Sequence, residues 1–296
     1  MSKIAKAIEK AKKSREAQLR KDQALQDQSP LEALGLSHQE PPHSQTRVAS
    51  LDDRHLEKHR LLALLDDPTA VDSYNLLCTQ LLNKTRARGH NTIMVTSCGD
   101  GEGKTVTTIN LAVSIARKVQ HTVLVVDADL RAPSIEHYLG LSAKKGLSEY
   151  LKKDESISEL LINPGLPRML VLPAGKSLRD STEILGSPKM EKLVWEMKNT
   201  YPERYVIFDS PPLLSFPDGL VLASHVDGII LVVEAGKTPR EQIQEAMELL
   251  NGRSILGLVM NKLSSTRNGY YKHKYGREQL DRSGISSSRR SDNLIA

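Results

Sequence analysis

The stretch TIMVTSCGDGEGKTVTTINLAVSIA, residues 92–116, decides the fold of this chain. Its first part, TIMVTS, is a short apolar run that is typical of a buried strand. Gly99, Gly101 and Gly103 then let the backbone turn tightly, so that its amide groups point inward. A segment of helical length begins near Lys104. A strand, a glycine-rich turn and a helix in this order predict a site for phosphate groups.

Each part of this turn has a role in holding a nucleotide. The positive end of the helix attracts anions, the Lys104 ammonium can bridge β- and γ-phosphates, and the Thr105 hydroxyl can ligate Mg²⁺. A purely structural turn explains the glycines but not the Lys-Thr pair. The loop departs from the usual spacing because Cys98 stands where the first glycine would be. We expect these residues to contact the nucleotide: Gly99, Asp100, Gly101, Glu102, Gly103, Lys104, Thr105 and Val106.

Further apolar runs follow the same pattern along the chain. They cover residues 122–129, 169–175, 205–212, 228–236 and 255–262, and most are separated by stretches of helical length such as 104–119, 182–199 and 239–251. This alternation predicts an α/β fold in which a mostly parallel sheet is covered by helices on both faces. Ligands of such sheets bind at the carboxyl ends of the strands, where the polar motifs of this chain fall.

Acidic residues follow two of these runs. VLVVDADLR places Asp127 and Asp129 at the end of one strand, with Arg131 beyond them, and YVIFDSPP ends on Asp209. Asp127 and Asp129 would reach one site if the extended path continues, because alternate residues of a strand face the same side. An ordinary strand-end cap is the alternative for Asp127. Asp209 suits the carboxylate that holds Mg²⁺ through water.

Composition limits the functions that are open to the chain. Hydrophobic residues make up 39% of 296 residues, and the mean hydropathy of −0.37 fits a core diluted by polar ends. The two cysteines form neither a CxxC pair nor a metal cluster, which predicts a reducing cytosolic compartment. No apolar stretch approaches the ~20 residues that cross a bilayer, so a membrane link would be peripheral or through a partner. A net charge of +5 suits anionic ligands, but no element for nucleic-acid recognition is visible, and we expect no such partner.

The chain divides into three parts. Residues 1–60 have the pattern of a basic helix followed by a polar linker. Residues 61–263 carry the apolar pattern of the folded domain and begin with the helical segment LLALLDDPTAVDSYNLLCTQLLNKT. Residues 264–296 form a polar tail. We expect both end segments to be flexible extensions.

Three motifs together resemble those of the bacterial tyrosine kinases of exopolysaccharide and capsule synthesis. They are SCGDGEGKT at 97–105, with Asp100 in place of a proline, DADLR at 127–131 and FDSPP at 208–212. The resemblance spans about residues 70–276. It implies a P-loop fold that binds ATP and Mg²⁺.

The resemblance assigns roles to the polar residues of these motifs. Lys104 and Thr105 would hold ATP·Mg²⁺, and Asp209 would complete the Mg²⁺ shell. Asp127 would act at the metal and would orient or deprotonate the acceptor hydroxyl. Asp129 would assist at the metal.

The resemblance also assigns roles to Arg131 and to residues outside the three motifs. Arg131 would neutralise charge or order its loop, and Asn261 would contact the base. The family ends in a tyrosine cluster that is autophosphorylated in trans, which implies that Tyr270, Tyr271 and Tyr275 are the acceptors.

Relatives in this family also carry E-x-x-R-x-x-R in a helix that supports ring assembly. Asp72, Asn75 and Cys78 occupy those positions here, so both arginines are absent. Ion pairs through them are not available, and a ring of this chain would need other contacts.

The resemblance implies a cytoplasmic kinase that a transmembrane polysaccharide co-polymerase or chain-length determinant recruits to the inner face of the plasma membrane and activates. It also implies self-association, a cognate tyrosine phosphatase and a role in regulating exopolysaccharide synthesis and export.

Two other functions remain open on the sequence. A positioning ATPase of the same superfamily would carry a signature lysine at residue 99, which is glycine here. A catalytically weak nucleotide-binding scaffold of the polysaccharide machinery is favoured by Asp100 and by the missing arginines.

Overall fold

A single mixed sheet forms the centre of the structure, a computed structural model that describes residues 47–49, 51–118 and 120–263. In chain order its strands are β1 (Arg47–Val48), β2 (Thr92–Ser97), β3 (Thr122–Asp127), β4 (Ile162–Asn163), β5 (Met169–Leu172), β6 (Arg204–Asp209), β7 (Gly228–Glu234) and β8 (Ile255–Asn261). Their order across the sheet is β1-β4-β5-β3-β6-β2-β7-β8. Only the β4–β5 pair is antiparallel among these described strands, which confirms the predicted mostly parallel sheet.

Helices connect most of the strands. They are α1 (Asp53–Lys58), α2 (Pro68–Thr85), α3 (Lys104–Ala116), α4 (Ile135–Leu139), α5 (Leu147–Lys153), α6 (Ile157–Leu160), α7 (Ser181–Leu185), α8 (Pro188–Thr200), α9 (Asp218–Leu222) and α10 (Arg240–Leu249), and a 3-10 turn covers Arg86–Arg88. Within the described ranges, no helix combines the length and the apolar character that a membrane span requires.

Apolar side chains are buried on both faces of the sheet. Along β2, Ile93 and Val95 belong to one buried cluster together with residues of α2 and α3, whereas Met94 belongs to a second cluster with residues of α8. Successive side chains of a strand point to opposite faces, so both faces of β2 are covered. The predicted helices on both faces of the sheet are therefore confirmed.

Several elements differ from their predicted bounds. The stretch 182–199 forms α7 and α8, because Ser187 caps a new helix that has Pro188 in its first turn. Helix α2 begins only at Pro68, where the Asp67 carboxylate accepts the Ala70 amide. The segments predicted for β3, β5, β6 and β7 run two or three residues past the observed strand ends, because they include the first loop residues, such as Ser210 and Pro211.

The polar linker that we predicted up to residue 60 is wrong in its last part. Strand β1 pairs with β4, and α1 buries Leu56 in the core. A two-residue strand and a six-residue helix with one buried side chain leave too few apolar positions for a periodic pattern. The predicted helix at the start of the chain and the tail from residue 264 onward lie outside the described residues.

A half-buried ion pair fixes the amino end of β2. The Asp227 carboxylate accepts the amides of Asn91 and Thr92 at 3.0 and 3.2 Å, and Lys198 pairs with its other oxygen. Burial alone would raise the pKa of Asp227, but the Lys198 ammonium and these amides bring it below its ordinary value.

We expect Asp227→Asn to lower the free energy of unfolding at pH 7 by about 1–3 kcal/mol, because charge-assisted hydrogen bonds are lost in a half-buried place. A carboxyl whose pKa is lowered by folding stabilises the protein above its unfolded pKa, near 3.8, and loses this contribution as the pH falls further. The difference between the wild type and the variant should therefore shrink below that pH. Urea unfolding at pH 7 and pH 3 measures this difference in stability. Asp154→Asn is the control, because Asp154 is in an exposed ion pair and its loss should change the free energy of unfolding by about 0.5 kcal/mol or less. Equal losses in the two variants would contradict the prediction.

Candidate active site

The phosphate loop lies between β2 and α3, as the sequence predicts. Gly101 and Gly103 have φ values of +74° and +98°, a conformation that residues with a Cβ rarely adopt. A Cβ on Gly103 would also lie 2.0 Å from the Asn261 amide nitrogen. That nitrogen donates to the carbonyl oxygen of Glu102 at 3.0 Å, so the end of β8 holds the loop in place.

The Glu102 side chain is turned into the loop. Its buried carboxylate accepts the amides of Cys98 and Gly99 at 2.8 and 3.2 Å and also the Thr238 hydroxyl. The Gly99 amide, which we expected to face phosphate, therefore has a different partner here, because a buried carboxylate is a strong acceptor. Glu102 supports the loop through these contacts, and Lys262 adds a bond of 2.6 Å to the Gly101 carbonyl oxygen.

Lys104 lies among the predicted carboxylates. Its ammonium nitrogen donates to Asp129 at 2.9 Å and lies 3.8 Å from an Asp209 oxygen. Burial alone would lower the pKa of Lys104, but the charges of Asp209 and Asp129 raise it above its ordinary value. The lysine thus stays charged, and a phosphate group would replace these carboxylates as its partner.

Asp209 and Thr105, two of the three residues that we expected at Mg²⁺, contact each other. The Thr105 hydroxyl donates to one Asp209 oxygen at 2.6 Å, and the Thr108 hydroxyl donates to the other at 3.2 Å. Asp209 is fully buried, and burial raises its pKa although Lys104 and the hydroxyls oppose this. A buried carboxylate beside a hydroxyl suits Mg²⁺, which takes oxygen ligands from protein, phosphate and water. Thr108 was missed, although it lies one helical turn from Lys104 and its position follows from that spacing.

Asp127 faces Asp209 across the β3–β6 register and is also fully buried. Its carboxylate accepts the amides of Ser134 and Ile135 at 2.9 and 3.0 Å, and that of Asp129 at 3.2 Å. Burial and the nearby Asp209 charge raise the pKa of Asp127 to about 7. The strand-end cap that we considered for Asp127 is thus present, and it fixes both ends of the loop that follows β3.

Arg131 points away from Lys104. Its guanidinium pairs with Asp218 at 2.5 Å and donates to the Thr182 hydroxyl at 3.1 Å. Of the two roles expected for Arg131, these contacts match the ordering of its loop. Sequence reasoning missed Asp218, which lies 87 residues away along the chain.

A cavity of about 840 Å³ opens above the phosphate loop. Most of the predicted nucleotide contacts line it: Asp100, Gly101, Gly103, Lys104, Thr105, Val106 and Asn261. Asp129, for which we predicted a catalytic role, lines it too. Its sides come from α2 and β8, and Lys58, His59 and Arg60 at the end of α1 also contribute to it. This volume is in the range of small-molecule sites.

Comparisons with known proteins agree with this geometry. A family model described as an AAA domain matches residues 90–251. Tyrosine-protein kinase YwqD of Bacillus subtilis (strain 168) is 33% identical over 234 residues, which cover 77% of this chain and 98% of that protein. The kinase domain of the Escherichia coli tyrosine kinase ETK is 28% identical with a TM-score of 0.62, over 68% of this chain and 80% of that chain. The VpsO kinase domain is 31% identical with a TM-score of 0.61, over 70% and 98%.

The names of these relatives bear on one of the alternatives that the sequence left open. Curated relatives from several bacteria are named tyrosine-protein kinases, which favours a kinase over a positioning ATPase. The P-loop fold and its cavity make the chain a nucleotide-binding protein. The chain belongs to the bacterial tyrosine-protein kinase family.

Proposed function

We propose that this chain is an ATP- and Mg²⁺-dependent tyrosine autokinase that phosphorylates Tyr270, Tyr271 and Tyr275 of another copy. The observation that carries the proposal is the arrangement of Lys104, Thr105 and Asp209 at one end of the sheet. These groups provide a cation and a buried oxygen pair next to a loop and helix terminus suited to phosphate.

Phosphoryl transfer depends mainly on positioning and on neutralising charge. The loop amides that remain free and the start of α3 would bind the phosphates, and Lys104 would leave Asp129 to contact the γ-phosphate. Thr105 and Asp209 would hold Mg²⁺, which supplies positive charge to the phosphate oxygens when bound. Asn261 would contact the base from the end of β8.

The acceptor phenol must lose its proton as the new bond forms. Its oxygen attacks the γ-phosphorus, the bond to the β-phosphate oxygen breaks, and ADP leaves. Phenols have a pKa near 10, so the proton needs an acceptor only late in the transfer. Asp127 would orient this hydroxyl and take the proton at Oδ1, which accepts one backbone amide and keeps a second lone pair, whereas Oδ2 already accepts two amides.

The cellular role follows from the resemblance of the motifs to the exopolysaccharide and capsule kinases. The chain would regulate polysaccharide synthesis and export from the cytoplasmic side of the plasma membrane. A transmembrane co-polymerase would recruit and stimulate it, and a tyrosine phosphatase would reverse the modification.

A phosphotyrosine assay tests the proposal. The full chain is incubated with ATP·Mg²⁺, alone and with the cytoplasmic segment of its co-polymerase, and the sites are mapped by mass spectrometry. We expect phosphotyrosine in the tail with ATP, and none with ADP or after Mg²⁺ is chelated. Hydrolysis of ATP without phosphotyrosine would support the positioning ATPase instead, and nucleotide binding without turnover would support the scaffold.

A further inference from the structure

The Asp218 carboxylate joins three separate segments beside the site. It is fully buried at the start of α9. It accepts Arg131 Nε at 2.5 Å, the Ser181 hydroxyl at 3.0 Å and the Thr182 hydroxyl. Arg131 follows β3, whereas Ser181 and Thr182 begin α7. One buried charge therefore ties the loop after β3 to α7 and α9.

The loop after β3 carries the residues that meet Lys104 and Thr105. Asp129 in this loop holds the Lys104 ammonium, and Ser134 at its end lies 3.0 Å from the Thr105 hydroxyl. Asp127 holds both ends of the loop through the amides of Asp129 and Ser134. Between these ends, Asp218 holds the loop at the Arg131 side chain, and a bond of 2.8 Å from the Ser177 hydroxyl to the Arg131 carbonyl oxygen adds to this.

We propose that Asp218 is a positioning residue for phosphoryl transfer, a proposal that rests on the proposed function. It holds Arg131 so that Asp127 and Asp129 keep their place opposite Lys104. A guanidinium that pairs with a carboxylate fixes direction as well as distance, and loss of Asp218 leaves the half-buried Arg131 charge without this partner. A shift of about 1 Å in a reacting group can cost about 10²-fold in rate.

The test compares Asp218→Asn with Asp227→Asn. Both variants remove a carboxylate that pairs with a half-buried cation, but Asp227 lies at the amino end of β2, whereas Asp218 contacts the loop that follows the carboxyl end of β3. We expect Asp218→Asn to lower kcat for tail phosphorylation by about 10- to 100-fold and to change KM for ATP by less than about threefold. KM is spared because Glu102 and Asn261 hold the phosphate loop independently. Asp227→Asn, measured well below its unfolding temperature, should keep kcat within about twofold of the wild type.

Hydrogen exchange of residues 128–134 gives a readout that does not depend on activity. We expect exchange in this loop to be about tenfold faster in Asp218→Asn and unchanged in Asp227→Asn. If Asp218→Asn does not fold, the double variant Arg131→Gln with Asp218→Asn replaces it, because it leaves no unpaired charge. Wild-type kcat and exchange in a folded Asp218 variant would overturn the inference, and so would equal losses in the Asp227 variant. If the wild type forms no phosphotyrosine, the proposed function fails, while the exchange comparison still decides whether Asp218 holds the loop.

Discussion

Lys104→Met will lower the rate of tail phosphorylation by about 10²–10³-fold, the range found when one preorganised charge-stabilising donor is removed. Methionine is unbranched and only one atom shorter than lysine, but it has no charge to place against a γ-phosphate. Lys104 is also the cation that contacts Asp129 and Asp209 in the structure. We therefore expect weaker binding of ATP in addition to slower transfer, and both quantities are measured, by calorimetry and by the phosphotyrosine assay.

The matched control for this variant is Lys237→Met. Lys237 has an exposed side chain and pairs with Glu234 on the surface, so its loss should change the rate by less than about twofold. Lys104→Met also leaves two buried carboxylates without their cation, so circular dichroism must show that the variant is folded. Wild-type activity in folded Lys104→Met would exclude the site that we assign.

The sequence predicted the parts of this site that depend on local pattern. Strand β2, the turn at Gly101 and Gly103, and the start of α3 follow one another along the chain, so their order alone indicates a phosphate loop. Asp209 was found because it ends an apolar run. In these cases the chemistry lies within a few residues of the pattern that reveals it.

The contacts that sequence reasoning missed are those that only the fold brings together. Asp218 reaches Arg131 across 87 residues, and Glu102 reaches Thr238 across 136 residues. Neither partner has a local signal, since an acidic residue in a loop or at a helix start is most often solvated. The role of Asp127 as a cap for backbone amides also depends on where α4 begins, which periodicity does not locate to the residue.

Replacing the tail tyrosines is the second change from which we expect a large effect on phosphorylation. Replacing Tyr270, Tyr271 and Tyr275 together by phenylalanine should reduce the phosphotyrosine label to about a tenth or less, because phenylalanine keeps the ring and lacks the attacking oxygen. Tyr201→Phe, which changes a tyrosine of the folded domain outside the cavity, should leave the label unchanged. Full label in the triple variant would place the acceptors elsewhere in the chain.

Chain length alone does not decide whether the acceptor belongs to the same copy or to another. Leu263 lines the cavity, and the seven residues from there to Tyr270 span at most about 25 Å when extended. A mixture of two defective chains resolves this. Lys104→Met offers tyrosines without a working site, and the triple phenylalanine variant offers a site without tail acceptors. If transfer is in trans, the mixture will label the Lys104→Met chain at a rate that rises with concentration. Transfer within one copy predicts two different results: the wild-type chain labels itself at a rate that does not depend on concentration, and the mixture gives no label. These results would show that each copy modifies its own tail. The absence of the family arginines, at Asn75 and Cys78, would then have no bearing on catalysis.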